Sequence, residues 1–173
     1  MNHSFYILLA LLYFFTCSCN NQREQTVNAD KLNSEDIGDI NRYLVQKDRE
    51  RIQNYIERKN LVMIESESGL WYNIINEGVG GNFKDNDRIT FDYTCSLLDG
   101  TRCYSSKELG PKKITLGRGE LEAGLNQGLR MLKPGGEAIF ILPPFLAYGL
   151  IGDDKAIPPR ATLVYEVKIL NKE

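Results

Sequence analysis

The spacing of apolar residues changes once along this chain, and that change limits the fold more than any other feature. Before residue 60 the spacing is helical: Ile37, Ile40, Leu44, Ile52 and Ile56, with Arg42, Lys47, Arg49, Glu50 and Glu57 between them. From residue 65 the apolar residues come in short runs broken by Gly and Pro, the mark of strands and turns. Residues 69–75 form one such run and stop at Gly78-Val79-Gly80-Gly81. Residues 88–98 put Ile89, Phe91, Tyr93 and Cys95 on one face, Asp99-Gly100 marks a hairpin, and residues 101–105 return. Residues 112–116 make another short strand. Apolar residues at 121, 125, 129 and 132 predict a short helix over 121–131, stopped by Pro134-Gly135-Gly136. Residues 137–142 are a strand, 143–159 a Gly/Pro-rich loop, and 161–170 a closing strand with Leu163, Tyr165, Val167 and Ile169 alternating.

The pattern predicts an α+β domain over residues 65–173, a mostly antiparallel sheet with one short helix, preceded by an amphipathic helix over 34–60. Ser34, Glu35 and Asp36 suit the start of that helix and Asn60 its stop. Asp48 falls on the apolar stripe and predicts a break there. Two readings of the stripe stand side by side: it covers its own domain, or it packs against a second copy as a homodimer through residues 35–59.

The N-terminus carries a different signal. Residues 6–15 read YILLALLYFF, too short to cross about 30 Å of hydrocarbon as a helix. Small residues and Cys17 and Cys19 follow, then polar Asn20-Asn21-Gln22. This resembles a bacterial lipoprotein signal over residues 1–18, with Cys19, after small Ser18, as the lipidated residue and Cys17 as the second candidate. Residues 19–33 then read as a flexible tether. The expected place is the bacterial cell envelope, lipid-anchored and facing the periplasm.

Composition removes several kinds of chemistry. The formal net charge of -2 leaves no electrostatic footprint for nucleic acid. The single histidine, His3, lies inside the signal, so the processed chain has none. Ser-His-Asp and Cys-His catalysis, histidine zinc sites and a histidine base are excluded for it. No metal-ligand cluster and no phosphate loop is visible, and no cofactor is expected.

A series of short motifs runs through the second half: Asp92-Tyr93-Thr94, Leu98-Asp99-Gly100-Thr101, Tyr104-Ser105-Ser106 and Leu116-Gly117-Arg118-Gly119-Glu120-Leu121. Gly124-Leu125-Asn126-Gln127-Gly128-Leu129, Met131-Leu132-Lys133-Pro134-Gly135-Gly136, Ala147-Tyr148-Gly149 and Ile157-Pro158-Pro159-Arg160-Ala161-Thr162-Leu163-Val164-Tyr165-Glu166-Val167 follow. In that order and spacing, residues 69–170 resemble the FKBP-type peptidyl-prolyl cis-trans isomerases. The signal, the helical lead-in and the Gly69-Leu70-Trp71-Tyr72 opening resemble the gliding-motility-associated lipoprotein branch.

The resemblance implies a curved antiparallel sheet wrapped on the short helix with an apolar pocket between them. It gives Tyr93 and Tyr148 the catalytic places, the Tyr148 hydroxyl bonding a carbonyl next to the proline. Substrate contacts fall to Cys103, Tyr104, Ile114, Leu121, Glu122, Leu125, Ile157 and Tyr165, with the Glu122 backbone N–H as a second donor. Residues 153–157 match a flap over the pocket. The implied partners are proline-containing polypeptides, with macrolides bound at reduced affinity.

This sequence departs from the family pattern at Cys103 (usually Phe), Tyr104 (usually Asp), Lys112 and Ile114 (often aromatic), Leu125 (usually Trp) and Glu122 (a carboxylate at an apolar position of the pocket rim). These departures bear on activity rather than fold. A binding module or chaperone with weak or no isomerase activity is the alternative reading.

Overall fold

The computed structural model describes residues 34–172. The predicted signal, the tether and Cys19 lie outside the described residues.

The chain opens with helix α1 (Ser34–Lys59), carrying Glu35 and Asp36 in its first turn and Arg58 and Lys59 in its last. Both ends thus complement the helix dipole. Asn60 adopts a left-handed φ of 50°. Its N–H donates to the Glu57 carbonyl and the Leu61 N–H to the Ile56 carbonyl, a Schellman stop. The expected break at Asp48 does not occur. Asp48 is buried and its Oδ2 accepts from Arg160 Nη2 at 2.8 Å, so a charge on the apolar stripe is paired rather than expelled.

Seven strands make one sheet: β1 (Ile64–Glu65), β2 (Trp71–Asn76), β3 (Arg88–Leu97), β4 (Arg102–Ser105), β5 (Lys112–Thr115), β6 (Glu137–Leu142) and β7 (Leu163–Lys172). Their order is β1-β2-β6-β7-β3-β4, with β5 also pairing β3. Every pairing is antiparallel, and the sheet is not closed. Three short helical pieces punctuate it: α2 (Ser106–Leu109), α3 (Ala123–Leu129) and a 3-10 turn (Pro144–Leu146). Sequence periodicity missed α2 and the 3-10 turn because one turn of helix shows no period. The two-residue β1 was missed for the same reason.

Alternation along β6 and β7 assigns the two faces of the sheet. Phe140, Leu142, Leu163, Tyr165, Val167 and Ile169 join the main core with Leu125, Leu129 and Leu132 from in and after α3. Ile141 and Val164 point the other way, where Ile52 of α1 and Trp71 meet them, with Tyr55 and Ile56 packed alongside. The second half of the α1 stripe therefore covers its own domain. Ile40, Tyr43 and Val45 in the first half remain exposed.

Helix α3 lies close on the sheet because it carries glycines there. A Cβ on Gly128 would stand 2.8 Å from the Phe140 ring, nearer than a ring held in a packed core can yield. Among the described residues no helix is long and apolar enough to cross a membrane.

Candidate functional site

The expected site residues come from six places in the chain, and the fold gathers them in and around the main core. Tyr93 stands on β3, whose backbone N–H there donates to Ser106 Oγ at 3.2 Å. Tyr165 faces it from β7, with ring centroids 6.4 Å apart. The strands β3 and β7 pair Tyr93 with Val167 and Cys95 with Tyr165, so the two tyrosines are diagonal neighbours on one face. Ile114 of β5, Leu125 of α3 and Ile157 of the last loop are buried in the same cluster. Leu121, Cys103, Tyr104 and Tyr148 pack against it half-buried. All the residues expected at the pocket are thus brought together.

Three details exceed what the sequence indicated. First, Glu122 is not a rim residue. It is buried, and the Tyr165 hydroxyl donates to its Oε1 at 2.9 Å. Its Oε2 is buried with no hydrogen-bond partner among the described residues. Burial, and then the Glu122 carboxylate, push the phenols of Tyr148 and Tyr165 well above the ordinary tyrosine range. Tyr93 is pushed up as well, by burial first, then by Cys95 and last by Glu122. Both tyrosines facing Glu122 therefore stay protonated donors at any working pH.

Second, the flap is latched. The Tyr104 hydroxyl donates to Asp153 Oδ2. Asp153 Oδ1 accepts from the backbone N–H groups of Ile157 at 2.8 Å and Lys155 at 3.0 Å. This single carboxylate shapes the turn that delivers Ile157 to the pocket, an Asx-type role. The turn also depends on Gly152, whose φ is 76° and whose Cβ would stand 2.2 Å from the Ile157 carbonyl oxygen. The sequence Gly152-Asp153-Asp154 signals a turn; that Tyr104 closes it is visible only in three dimensions.

Third, Cys95 and Cys103 do not oppose one another across the hairpin. A register shift between Cys95 and Ser96 pairs Cys95 with Tyr104 and leaves Cys103 unpaired in the bulge. Both thiols are free. Burial pushes the Cys95 thiol up to about 12, so it is an inert wall atom beside Tyr165.

The site is an apolar, tyrosine-walled cluster with hydroxyl donors and one buried carboxylate, and its tyrosines lose no proton near neutral pH. Such a surface can bind a compact apolar ring and hold a carbonyl. Among the described residues no group of histidine, cysteine or acidic side chains could hold a metal ion.

Comparison with known proteins agrees with this geometry. The chain is 34% identical over 106 residues to the FKBP-type peptidyl-prolyl cis-trans isomerase FkpA of Escherichia coli strain K12, covering 61% of this chain and 38% of that protein. It is 38% identical over 91 residues to the peptidyl-prolyl cis-trans isomerase Fkbp12 of Drosophila melanogaster, 52% of this chain and 84% of that one. The chain thus spans less than half the length of the bacterial relatives it matches. The crystal structure of Escherichia coli FkpA superposes with a TM-score of 0.62 at 26% identity, covering 83% of this chain and 74% of that chain. The family profile described as FKBP-type peptidyl-prolyl cis-trans isomerase matches residues 80–170, more than half of the sequence. By that match and by the sheet, short helix and pocket that those residues build, the chain belongs to the FKBP-type peptidyl-prolyl cis-trans isomerase family.

Proposed function

We propose that this protein isomerises X-Pro bonds in polypeptides of the cell envelope, held at the membrane by lipid on Cys19. The observation that carries the reading is that Tyr93, Tyr165, Leu125 and Ile157 share one apolar cluster with the half-buried Tyr148. A peptide bond resists rotation by about 18–20 kcal/mol because of resonance. At the twisted transition state that resonance is lost and the carbonyl carries less charge. An apolar wall penalises the twisted bond less than the planar one, and a fixed hydroxyl donor orients the carbonyl. No side chain has to gain or lose a proton.

Tyr93 and Tyr148 act on the rotating bond. Ile114, Leu121, Leu125, Ile157 and Tyr165 take the proline ring, with Cys103 and Tyr104 at the flap side. The shortened floor at Leu125 lowers both the isomerisation rate and the affinity for macrolides relative to relatives with tryptophan there. The exposed first half of α1, with Ile40 and Tyr43, is the surface through which residues 35–59 form a homodimer. The lipoprotein pattern of residues 1–19 supports a periplasmic place, and the lead-in segments support the gliding-associated branch.

A second reading, a binding module with little isomerase activity, is favoured by one observation: the buried Glu122 carboxylate facing Tyr148. It competes with a substrate carbonyl for the hydroxyl proton. The two readings separate in a protease-free tetrapeptide assay run beside proline-limited refolding. Catalysis above the spontaneous rate at micromolar protein is expected, a several-fold loss in Tyr148→Phe, and a gain in Leu125→Trp. No acceleration by folded protein in either assay, with Leu125→Trp inert, leaves the binding module.

A further inference from the structure

The Glu122 carboxylate is the least explained group in the molecule. It lies inside an otherwise apolar, tyrosine-walled site and is only 9% exposed. One oxygen is satisfied by Tyr165. The other is buried and makes no hydrogen bond among the described residues, although the Tyr148 hydroxyl stands beside the carboxylate. A carboxylate oxygen hidden from water without a partner costs roughly 1–3 kcal/mol or more. An apolar residue at this place would avoid that cost, so the fold gains nothing from the carboxylate that the Tyr165 contact alone explains.

The groups around the carboxylate favour a cation. Tyr93, Tyr148 and Tyr165 all sense its charge. The Tyr165 ring is only 3% exposed and lies 6.4 Å from the Tyr93 ring, so the half-buried Tyr93 and Tyr148 rings are the ones with open surface. Aromatic faces beside a carboxylate are the arrangement that attracts an ammonium or guanidinium group, through the ring quadrupoles and the charge together. A site with a buried polar atom also discriminates strongly against a ligand that leaves it unpaired.

We propose that Glu122 makes this pocket selective for proline segments with a Lys or Arg next to the proline, the basic group supplying the donor that Oε2 lacks. The inference rests on the isomerase family's proline pocket being the working site, and it adds the substrate class. A plain Leu-Pro segment draws the Tyr148 hydroxyl away from Glu122 and brings no donor to Oε2 in its place. A Lys-Pro or Pro-Lys segment engages the carboxylate and so releases the Tyr148 hydroxyl to the substrate carbonyl. Glu122 is therefore a specificity-determining residue, and the neutral, apolar peptides usual in isomerase assays are poor reporters for this chain.

The test compares tetrapeptides of the forms Ala-Leu-Pro-Phe, Ala-Lys-Pro-Phe, Ala-Glu-Pro-Phe and Ala-Leu-Pro-Lys with the full chain. Isomerisation rates and calorimetric affinities are both measured. The wild type should favour a basic peptide over Ala-Leu-Pro-Phe by about tenfold, as one charge-assisted bond provides. It should disfavour the acidic peptide, and the preference should shrink as salt rises. Glu122→Gln, which keeps size, should bring the ratio near one. Glu122→Ile should reverse it by speeding the Leu-Pro peptide. A wild-type ratio near one in both basic orders overturns the proposal without any variant, as does a preference that survives Glu122→Gln. Failure of the isomerase reading looks different: no peptide is isomerised, while calorimetry still reports whether basic peptides bind through Glu122.

Discussion

Asp153 shows how much a single side chain can organise here. Burial pulls its pKa upward, but the Tyr104 hydroxyl and the N–H groups of Ile157 and Lys155 outweigh that and hold it below the ordinary 3.8. A carboxyl depressed in the folded state binds its proton more readily when unfolded. Its contribution to stability is therefore complete above the ordinary value and fades as pH falls through the folded one. Asp153→Asn, which lacks the charge, should melt lower than the wild type at neutral pH. The gap should close on acidification below about pH 4, as thermal melts across pH would read. A gap that stays constant to pH 2 would mean that the flap does not depend on this charge. Of the site residues, Tyr93, Tyr148, Ile157 and Tyr165 were legible from their place in the motif series. The Glu122–Tyr165 bond and the Tyr104–Asp153 latch were not, because each joins residues more than forty positions apart, beyond the reach of any local pattern.

The elements divide by how they are anchored. In α1, Ile52 is 1% exposed between Trp71, Ile141 and Val164, whereas Ile40 is 46% exposed. Both belong to one sequence stripe, and only packing separates them. Ile52→Ala should cost about 2–5 kcal/mol in chemical denaturation, the usual range for a buried isoleucine cut to alanine. Ile40→Ala should change monomer stability by less than about 0.5 kcal/mol. Equal costs would mean that the stripe is buried along its whole length. The same helix reaches the site loop. Arg160, in a left-handed conformation with φ 56°, bonds Asp48 through its guanidinium and donates its N–H to the Gly149 carbonyl at 3.0 Å. The residue after Tyr148 is thereby tied to α1, and the family domain and its lead-in helix are joined mechanically, not merely in sequence.

For the molecule as a whole, the sheet carries a core on each face, one built by α3 and one by α1. Deleting residues 1–60 removes the second cover and bares Trp71, Ile141 and Val164 to water. The shortened chain should keep its pocket but melt at least about 10 °C lower, since the docked helix is worth no less than the roughly 2–5 kcal/mol that Ile52 alone contributes. It should also bind a hydrophobic dye that the intact chain does not. Unchanged melting and no dye binding would show that α1 contributes nothing to the domain.

The sequence by itself determined the alternating strands, the hairpin at Asp99-Gly100, the short glycine-bearing helix and the family, since each rests on spacing within a few residues or on motifs in fixed order. Helix α1 and its stop at Asn60 were equally local. Tertiary structure alone decided that Asp48 strengthens the helix's attachment rather than breaking it, because its partner Arg160 lies 112 residues away. It alone decided that the bulge after Cys95 separates the two cysteines, since register depends on both strands at once. It alone turned Glu122 from an expected rim residue into a buried carboxylate among tyrosines. Burial and pairing belong to the packed chain as a whole, and a residue's charge acquires its role only from what the fold sets beside it.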